Sequence, residues 1–322
     1  MNSTAFNLTA LVTGATGFIG SHLVVRLKEA GYTVKVYSRN PYRNIPGAFI
    51  DKRNWIVGDF DNDEELAAAC RGVDVVFHAA GLAHSGHCEL DEILKANLIV
   101  TQKSYTASVV GKVKRFVYFS SILASDPDSS NYAKSKHAAE QFLLSCVTEN
   151  KQTQFAILRP ANVYGPRMKG NIKLFISLAH KRMFPGLPRL TNTFPLVSVQ
   201  DLCDNAIAVA DLGFQIHEPY IYTITDGEVY TPNRIEDAVY ACQEPRRPWL
   251  RFPRAAFYFA SLAAQFANIT GIKKNKIGLR LYENLAGTRV LAQDNVLMGP
   301  ILAPTVTLET EMQKIINDLE EA

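Results

Sequence analysis

Three glycines placed between an apolar run and a helical pattern constrain the fold of this chain most. The stretch Leu11-Val-Thr-Gly14-Ala-Thr-Gly17-Phe-Ile-Gly20 directly follows the run Thr9 to Thr13. In such a loop the first glycine permits a tight turn, the second lets the backbone approach a pyrophosphate, and the third lets the helix pack closely on the sheet. The helix N-terminus favours an anion. The pattern predicts a dinucleotide site, with a bare structural turn as the alternative, and its candidate residues are Gly14, Thr16, Gly17, Phe18, Ile19 and Gly20.

Short β-rich runs alternate with helical patterns through the first half of the chain, and this alternation predicts a parallel sheet. The rhythm ends at Arg159-Pro160. We therefore predict an α/β protein with a Rossmann-type doubly wound parallel sheet in residues 1–165 and a return segment near residues 195–225. A smaller, irregular substrate-binding lobe is expected in residues 166–322. The predicted strands are Thr9–Thr13, Thr33–Tyr37, Trp55–Val57, Val73–Phe77, Arg115–Ser120 and Phe155–Leu158; the helices include Ile19–Ala30, Asp63–Cys70, Leu90–Val109 and Asn131–Glu149.

Charge and cysteine content exclude several other classes of protein. The 34 basic and 31 acidic side chains give a net charge of +3 and form no basic stripe, so nothing calls for a nucleic-acid partner. The five cysteines are odd in number and lack a CxxC spacing, which indicates reduced thiols and a cytoplasmic protein. The apolar stretch Ala255 to Ala267 is shorter than the roughly 20 residues of a membrane-spanning helix.

The residues that follow the second strand indicate which dinucleotide would bind. NAD-specific sites usually carry Asp or Glu there for the ribose 2′-hydroxyl, whereas this chain reads Val36-Tyr-Ser-Arg-Asn40. Ser38, Arg39 and Arg43 suit a 2′-phosphate instead, so NADP(H) is the predicted cofactor and NAD(H) the second choice. The alternative interpretation is that Arg39 is a solvated arginine on a loop. Further predicted cofactor contacts are Asp59, Phe60, Ala79, Ala80 and Gly81; His78 either lies under the cofactor or is a core histidine.

A tyrosine and a lysine four residues apart form the predicted catalytic pair. Tyr132 and Lys136 share one helix face, and a nearby ammonium favours the phenolate of a group whose ordinary pKa is near 10. Ser121, eleven residues before Tyr132, ends the preceding predicted strand and can hydrogen-bond the same substrate oxygen. The alternative is that the spacing of Tyr132 and Lys136 is a chance helical pattern. The preceding glycine loop and strand make this alternative less favourable.

These motifs resemble those of the extended short-chain dehydrogenases/reductases, the superfamily of nucleotide-sugar epimerases, dehydratases and 4-keto reductases. The resemblance implies a Ser121, Tyr132 and Lys136 triad, a proton-relay water at Asn97, and cofactor contacts at Pro160, Asn162 and Val163. It extends to about Leu202. The matching segments are Gly14–Gly20, Asp59, His78–Gly81, Asn97, Phe119–Ser121, Tyr132–Lys136, Arg159–Pro166 and Val199–Leu202.

Within that superfamily, the segments Gly81–His84 and Tyr164–Asn171 look most like bacterial 4-keto reductases and 4-epimerases of UDP-2-acetamido sugars, which serve surface polysaccharide synthesis. The resemblance implies a homodimer. Phe194 stands where these enzymes commonly carry an arginine for the substrate diphosphate, and the loop Ile122–Asn131 is short. The implied substrate contacts are His84, Ser121, Asn162, Arg167, Lys169, Asn171 and Phe194.

Two other functions stay open at this point. Phe194 and the apolar stretch after Pro253 favour a reductase of a hydrophobic ketone, steroid-like or phenolic. A non-catalytic nicotinamide-binding regulatory protein is less favoured because Tyr132 and Lys136 are both present. His84, His87 and Cys88 lack further ligands at metal-site spacing, so no metal is expected.

Overall fold

The computed structural model describes residues 8–42, 45–83, 89–147, 152–182, 186–212, 220–244, 250–251, 253–269 and 302–321. Its strands are β1 (Thr9–Thr13), β2 (Thr33–Ser38), β3 (Trp55–Val57), β4 (Val75–His78), β5 (Arg115–Phe119), β6 (Gln154–Pro160), β7 (Asn162–Tyr164), β8 (Phe194–Ser198), β9 (Tyr220–Ile224) and β10 (Val229–Tyr230). Its helices are α1 (Phe18–Glu29), α2 (Asp63–Cys70), α3 (Leu90–Leu94), α4 (Val100–Val110), α5 (Asn131–Ser145), α6 (Asn171–His180), α7 (Val199–Asp211), α8 (Pro232–Ala241), α9 (Arg254–Ile269) and α10 (Leu308–Glu321).

Seven strands form one parallel sheet in the order β3-β2-β1-β4-β5-β6-β9. The inner strands are buried along their length because helices cover both faces of such a sheet, which explains their continuous apolar sequences. All four residues of β4 are buried, and so are four of the five in β5. This arrangement confirms the predicted α/β fold with a Rossmann-type doubly wound sheet.

The chain divides into two compact units. The first comprises Met1–Ala161, Val199–Thr225 and Leu291–Ala303, and the second comprises Asn162–Ser198, Asp226–Val290 and Pro304–Ala322. Within the second unit, β7 and β8 are parallel while β10 joins β8 antiparallel. The assignment of cofactor binding to residues 1–165 and of substrate binding to residues 166–322 stays a prediction.

Helix α7 returns to the first unit and is attached to the region of α1. Arg26 of α1 donates from Nε to Asp204 Oδ1 at 2.7 Å, and the Tyr32 hydroxyl donates to Asp211 at 2.6 Å. Buried residues of α7, including Leu202, Ala206 and Val209, form its apolar face. The first unit therefore takes part of its helical layer from sequence beyond residue 198.

The predicted single helix Leu90–Val109 is wrong in one respect, because a π-helical turn at Lys95–Ile99 separates α3 from α4. A π turn adds one residue to the helical ring and rotates the side chains that follow it. The helical pattern of the sequence continues through this turn and gave no sign of it. The turn contains Asn97, which is fully buried.

Candidate active site

The glycine loop is a tight turn packed against the end of β4. Gly14 has a φ of +75°, and a Cβ atom there would lie 2.6 Å from the backbone of Ala79 and Ala80. A Cβ on Gly20 would lie 2.2 Å from the carbonyl oxygen of Gly14. The Gly17 N–H donates to that same oxygen at 2.9 Å. Gly14 and Gly20 are therefore required by close backbone packing.

Gly17 differs because, among the described residues, a Cβ there would approach only one atom within 4 Å, the Gly14 oxygen at 3.1 Å. Gly17 precedes α1, makes no side-chain cap, and the first turn of α1 carries no acidic side chain. A helix N-terminus of this kind offers N–H groups and positive potential to an anion. The loop therefore fits a diphosphate, with Thr16 exposed and Phe18 and Ile19 half-buried at its edge.

The residues predicted to bind the adenosine half lie after β2 and β3. Ser38 is buried, and its Oγ accepts a hydrogen bond from the Asn40 N–H at 3.2 Å. Arg39 is exposed, and no described residue forms a hydrogen bond or an ion pair with it. Asp59 is exposed and caps its own turn at the Asp61 N–H, while Phe60 is buried edge-on to Tyr37. Phe60 thus has a role in the core, and Arg43 lies outside the described residues.

His78 is a hydrogen-bonded core residue, which was the alternative interpretation of the sequence. Its Nδ1 lies 2.8 Å from the Thr13 hydroxyl and its Nε2 lies 3.1 Å from that of Thr101. The ring stacks on Phe116 and Tyr118. Burial, assisted by the charge of Lys136, lowers the pKa of His78 to about 3, so the imidazole is neutral at ordinary pH.

Because folding lowers the pKa of His78 below its ordinary value, the protein should lose stability in acid. Below about pH 6.5 the unfolded chain takes up a proton at this residue while the folded protein does not. The free energy of unfolding therefore decreases as the pH decreases. The contribution approaches about 1.4 kcal/mol per pH unit. Urea denaturation between pH 4.5 and 7 should show a shallower pH dependence for His78→Gln than for the wild type. Equal slopes would contradict this assignment.

Lys136 is the buried cation of the predicted triad. Its Nζ donates to the carbonyl oxygen of Phe119 at 2.7 Å and lies 4.7 Å from the ring centroid of Tyr118. Burial lowers the pKa of Lys136 to about 8, while the charge of Glu140 acts in the opposite direction. The last residues of β5 therefore hold the ammonium in place.

Tyr132 lies one helical turn before Lys136, and its phenol is near enough to the Ser121 side chain for Ser121 to lower its pKa. Ser121 Oγ also accepts a hydrogen bond from the Leu123 N–H at 3.2 Å. Burial raises the pKa of Tyr132 to about 12, and the nearby Ser121 side chain partly opposes that rise. The pKa of Tyr132 is therefore raised because burial disfavours the phenolate, whereas the nearby charge of Lys136 alone would be expected to lower it.

Asn97 connects the loop after β4 to α5. Its Oδ1 accepts from the Leu82 N–H at 2.8 Å, and its Nδ2 donates to the Leu82 oxygen at 3.1 Å and to Ser135 Oγ at 2.8 Å. A Cβ on Gly81 would lie 2.5 Å from that Oδ1. The Asn97 side chain thus has a positioning role here; its predicted relay water stays a prediction.

The predicted substrate residues belong mainly to the second compact unit. Asn162 and Lys169 are exposed, Asn171 begins α6, and Phe194 begins β8, while Pro160 ends β6 in the first unit and Val163 is half-buried in β7. Arg167 has a φ of +65° and donates its N–H to Asp318 at 2.8 Å. His84 lies outside the described residues.

The sequence motifs assigned no site role to three buried polar residues, Ser120, Glu140 and Arg159. Glu140 accepts hydrogen bonds from both of the others. One signal was present, because Glu140 lies four residues after Lys136 and eight after Tyr132, on the same face of α5.

Among the described helices, none combines the length and apolar character needed to cross a membrane.

Comparison with known proteins identifies the family. The model of the NAD dependent epimerase/dehydratase family matches residues 10–225. The UDP-glucose 4-epimerase of Vibrio cholerae is 26% identical over 257 residues, covering 73% of this chain and 76% of that protein. The ceramide reductase of Caulobacter vibrioides is 28% identical over 202 residues, which are 61% of this chain and 59% of the reductase.

A solved structure agrees with the sequence comparisons as to fold. The crystal structure of UDP-glucose 4-epimerase from Thermotoga maritima with UDP-glucose has a TM-score of 0.68 at 19% identity, over 98% of this chain and 99% of that chain. Since the family model spans more than half of the sequence, the chain belongs to the NAD dependent epimerase/dehydratase family and is an NAD(P)-dependent enzyme of the extended short-chain dehydrogenase/reductase class.

Proposed function

We propose that this enzyme reduces or epimerises a keto or hydroxyl centre of a nucleotide-linked sugar with NADP(H), through Ser121, Tyr132 and Lys136. The observation that carries the proposal is that the end of β5 contacts both other members of the triad. The Phe119 carbonyl accepts a hydrogen bond from Lys136 Nζ at 2.7 Å, and the nearby Ser121 side chain acts on the pKa of the Tyr132 phenol. When bound, the nicotinamide would supply or accept the hydride.

The side chains of the triad would bind the oxygen of the reacting centre and transfer its proton. Ser121 would donate a hydrogen bond to the ketone oxygen, and Tyr132 would donate its phenolic proton as the oxygen gains negative charge. Lys136, held by the Phe119 carbonyl, would stabilise the phenolate that forms. In the oxidative direction Tyr132 would accept the alcohol proton, so one arrangement serves both reduction and epimerisation.

The substrate class rests on the relatives and on the segment Tyr164–Asn171. The epimerase of Vibrio cholerae matches 73% of this chain, and by its name it acts on UDP-glucose. Arg167 and Lys169 would supply positive charge to a diphosphate. We also propose that the enzyme is a cytoplasmic homodimer that acts in surface polysaccharide synthesis.

A second candidate function is reduction of a hydrophobic ketone. Phe194 occupies the place where an arginine is usual, and a ceramide reductase is among the relatives. Loss of a charged hydrogen bond to a diphosphate would cost about 1.5–3 kcal/mol.

A thermal-shift screen with NADPH present distinguishes the two. A ligand at 100 times its dissociation constant adds about 2.7 kcal/mol to stability. Under the main proposal UDP-N-acetylglucosamine or UDP-glucose stabilises the protein and a steroid ketone does not. The reverse pattern favours the second candidate, and stabilisation by neither class contradicts both.

Arg39 should determine the preference for NADPH over NADH. It is exposed and has no partner within the described ranges, so its charge is available to a 2′-phosphate. We expect Arg39→Ala to weaken NADPH binding about ten- to a hundredfold and to leave NADH binding nearly unchanged, measured by fluorescence titration. Arg53→Ala is the matched control because Arg53 is paired with Asp51 at 2.8 Å. Equal losses for both cofactors would contradict the assignment.

A further inference from the structure

A buried ion pair lies behind the triad. Glu140 is fully buried and Arg159 is 7% exposed, and Arg159 Nη2 lies 2.6 Å from Glu140 Oε2. Arg159 Nε adds contacts of 3.0 and 3.2 Å to the two carboxylate oxygens. Burying two charges is costly unless their geometry is excellent and the remaining hydrogen bonds are satisfied. The bidentate contact between α5 and β6 meets that requirement.

The carboxylate has a third partner that connects the pair to the triad. The Ser120 hydroxyl donates to Glu140 Oε1, and the Ser120 N–H donates to the Leu158 oxygen at 2.7 Å. Ser120 is thus fixed by its backbone and by its side chain. Its two neighbours in sequence are Phe119, whose carbonyl accepts a hydrogen bond from Lys136, and Ser121, whose side chain lies near enough to Tyr132 to lower the pKa of the phenol.

Glu140 also acts on the charge of Lys136, one helical turn earlier on α5. Its negative charge opposes the lowering of the Lys136 pKa by burial. The ionisable groups on α5 and on the elements packed around it include Tyr132, Lys134 and His137 on α5, Tyr118 on β5, His78 on β4, Arg159 on β6, Asp91 and Glu92 on α3, and Lys95 in the π-helical turn. His78 is neutral, Tyr118 has a raised pKa, and Lys95 pairs with Asp61 at 3.4 Å. Among the described groups, Glu140 is the carboxylate whose charge raises the pKa of Lys136.

We propose that Glu140, fixed by Arg159 and Ser120, is a positioning residue that holds the end of β5 so that Phe119 and Ser121 keep Lys136 and Tyr132 in place. This inference rests on the proposed function of the triad. A purely structural ion pair would join α5 to β6 without needing the hydroxyl of Ser120. The bond from Ser120 is thus the contact that separates the two interpretations.

The test is the titration of Lys136 in the whole protein, followed by NMR of the lysine Nζ with ¹⁵N-labelled lysine. The Lys136→Met variant assigns the signal. In Glu140→Gln the pKa of Lys136 should fall by about one unit or more, a tenfold change in the protonation equilibrium. Ser120→Ala, which keeps the carboxylate, should lower that pKa by a smaller amount, because the Phe119 carbonyl is then less firmly held. The double variant should resemble Glu140→Gln.

Glu236→Gln is the matched control. Glu236 is equally buried and pairs with Arg251 at 2.8 Å, but it belongs to the second compact unit. It should lose stability as Glu140→Gln does and leave the titration of Lys136 unchanged.

An unchanged Lys136 titration in Glu140→Gln would overturn the inference, and so would a Ser120→Ala variant identical to the wild type. Because this measurement needs no substrate, it is independent of whether the triad is catalytic. Full turnover by a Tyr132→Phe variant would instead refute the proposed function.

Discussion

Replacing Tyr132 by phenylalanine will lower turnover by about 10²–10⁴-fold, the range expected for loss of a general acid. The change removes only the phenolic hydroxyl, so the glycine loop and the cofactor site keep their geometry. The dissociation constant for NADPH should therefore stay within a few-fold of the wild-type value. Turnover of the nucleotide sugar identified in the thermal-shift screen, together with NADPH fluorescence titration, measures both quantities.

Tyr105→Phe is the control for this prediction. Tyr105 is a buried tyrosine of the same unit, and its hydroxyl donates to the Thr153 oxygen at 3.2 Å. It should lose some stability and keep its turnover. If Tyr132→Phe and Tyr105→Phe were equally active, Tyr132 could not be the proton donor.

Placing a methyl group on Gly14 will destabilise the protein and disrupt its cofactor loop. The new Cβ would lie 2.6 Å from three backbone atoms of Ala79 and Ala80, which cannot move without shifting the end of β4. We expect Gly14→Ala to lower the free energy of unfolding by about 2–4 kcal/mol, combining forced overpacking with strain at positive φ. NADPH binding should weaken at least tenfold, since the turn carries the helix N-terminus. Urea denaturation and cofactor titration measure the two effects.

The Gly31→Ala variant distinguishes the effect of backbone strain from the effect of a steric clash. Gly31 has a φ of +84°, similar to that of Gly14, but a Cβ there would lie within 4 Å of no atom in the described part of the chain. Its replacement should cost only the conformational strain, about 1 kcal/mol, and leave NADPH binding intact. Equal losses at the two positions would show that close packing against β4 is unimportant.

The fold and the glycine loop could be predicted because their signals are local. Apolar runs such as Thr9–Thr13 mark strands that are buried on both faces, and α2 begins and ends at the predicted residues. The second sheet was not predicted. Two of its three strands are short, β10 with two residues and β7 with three, and they lie outside the regular strand–helix alternation that marked the equally short β3.

The site was less predictable because its contacts are long-range. The spacing of Tyr132 and Lys136 showed that they share a helix face, but the carbonyl that holds Lys136 lies 17 residues away on β5. The pairing of Glu140 with Arg159 likewise depends on how α5 packs on the sheet. The raised pKa of Tyr132 depends on the burial of its phenol, which is a property of the folded protein and not of residue spacing.

The return of α7 and β9 to the first unit limits how this enzyme could be divided. A fragment ending at Ala161 would lack β9, leaving the backbone groups of β6 unpaired along one edge. It would also lose Asp204 and Asp211, which hold Arg26 and Tyr32. Such a fragment would tend to aggregate. Substrate specificity in this protein is therefore better exchanged by grafting short segments than by swapping a contiguous C-terminal half between enzymes.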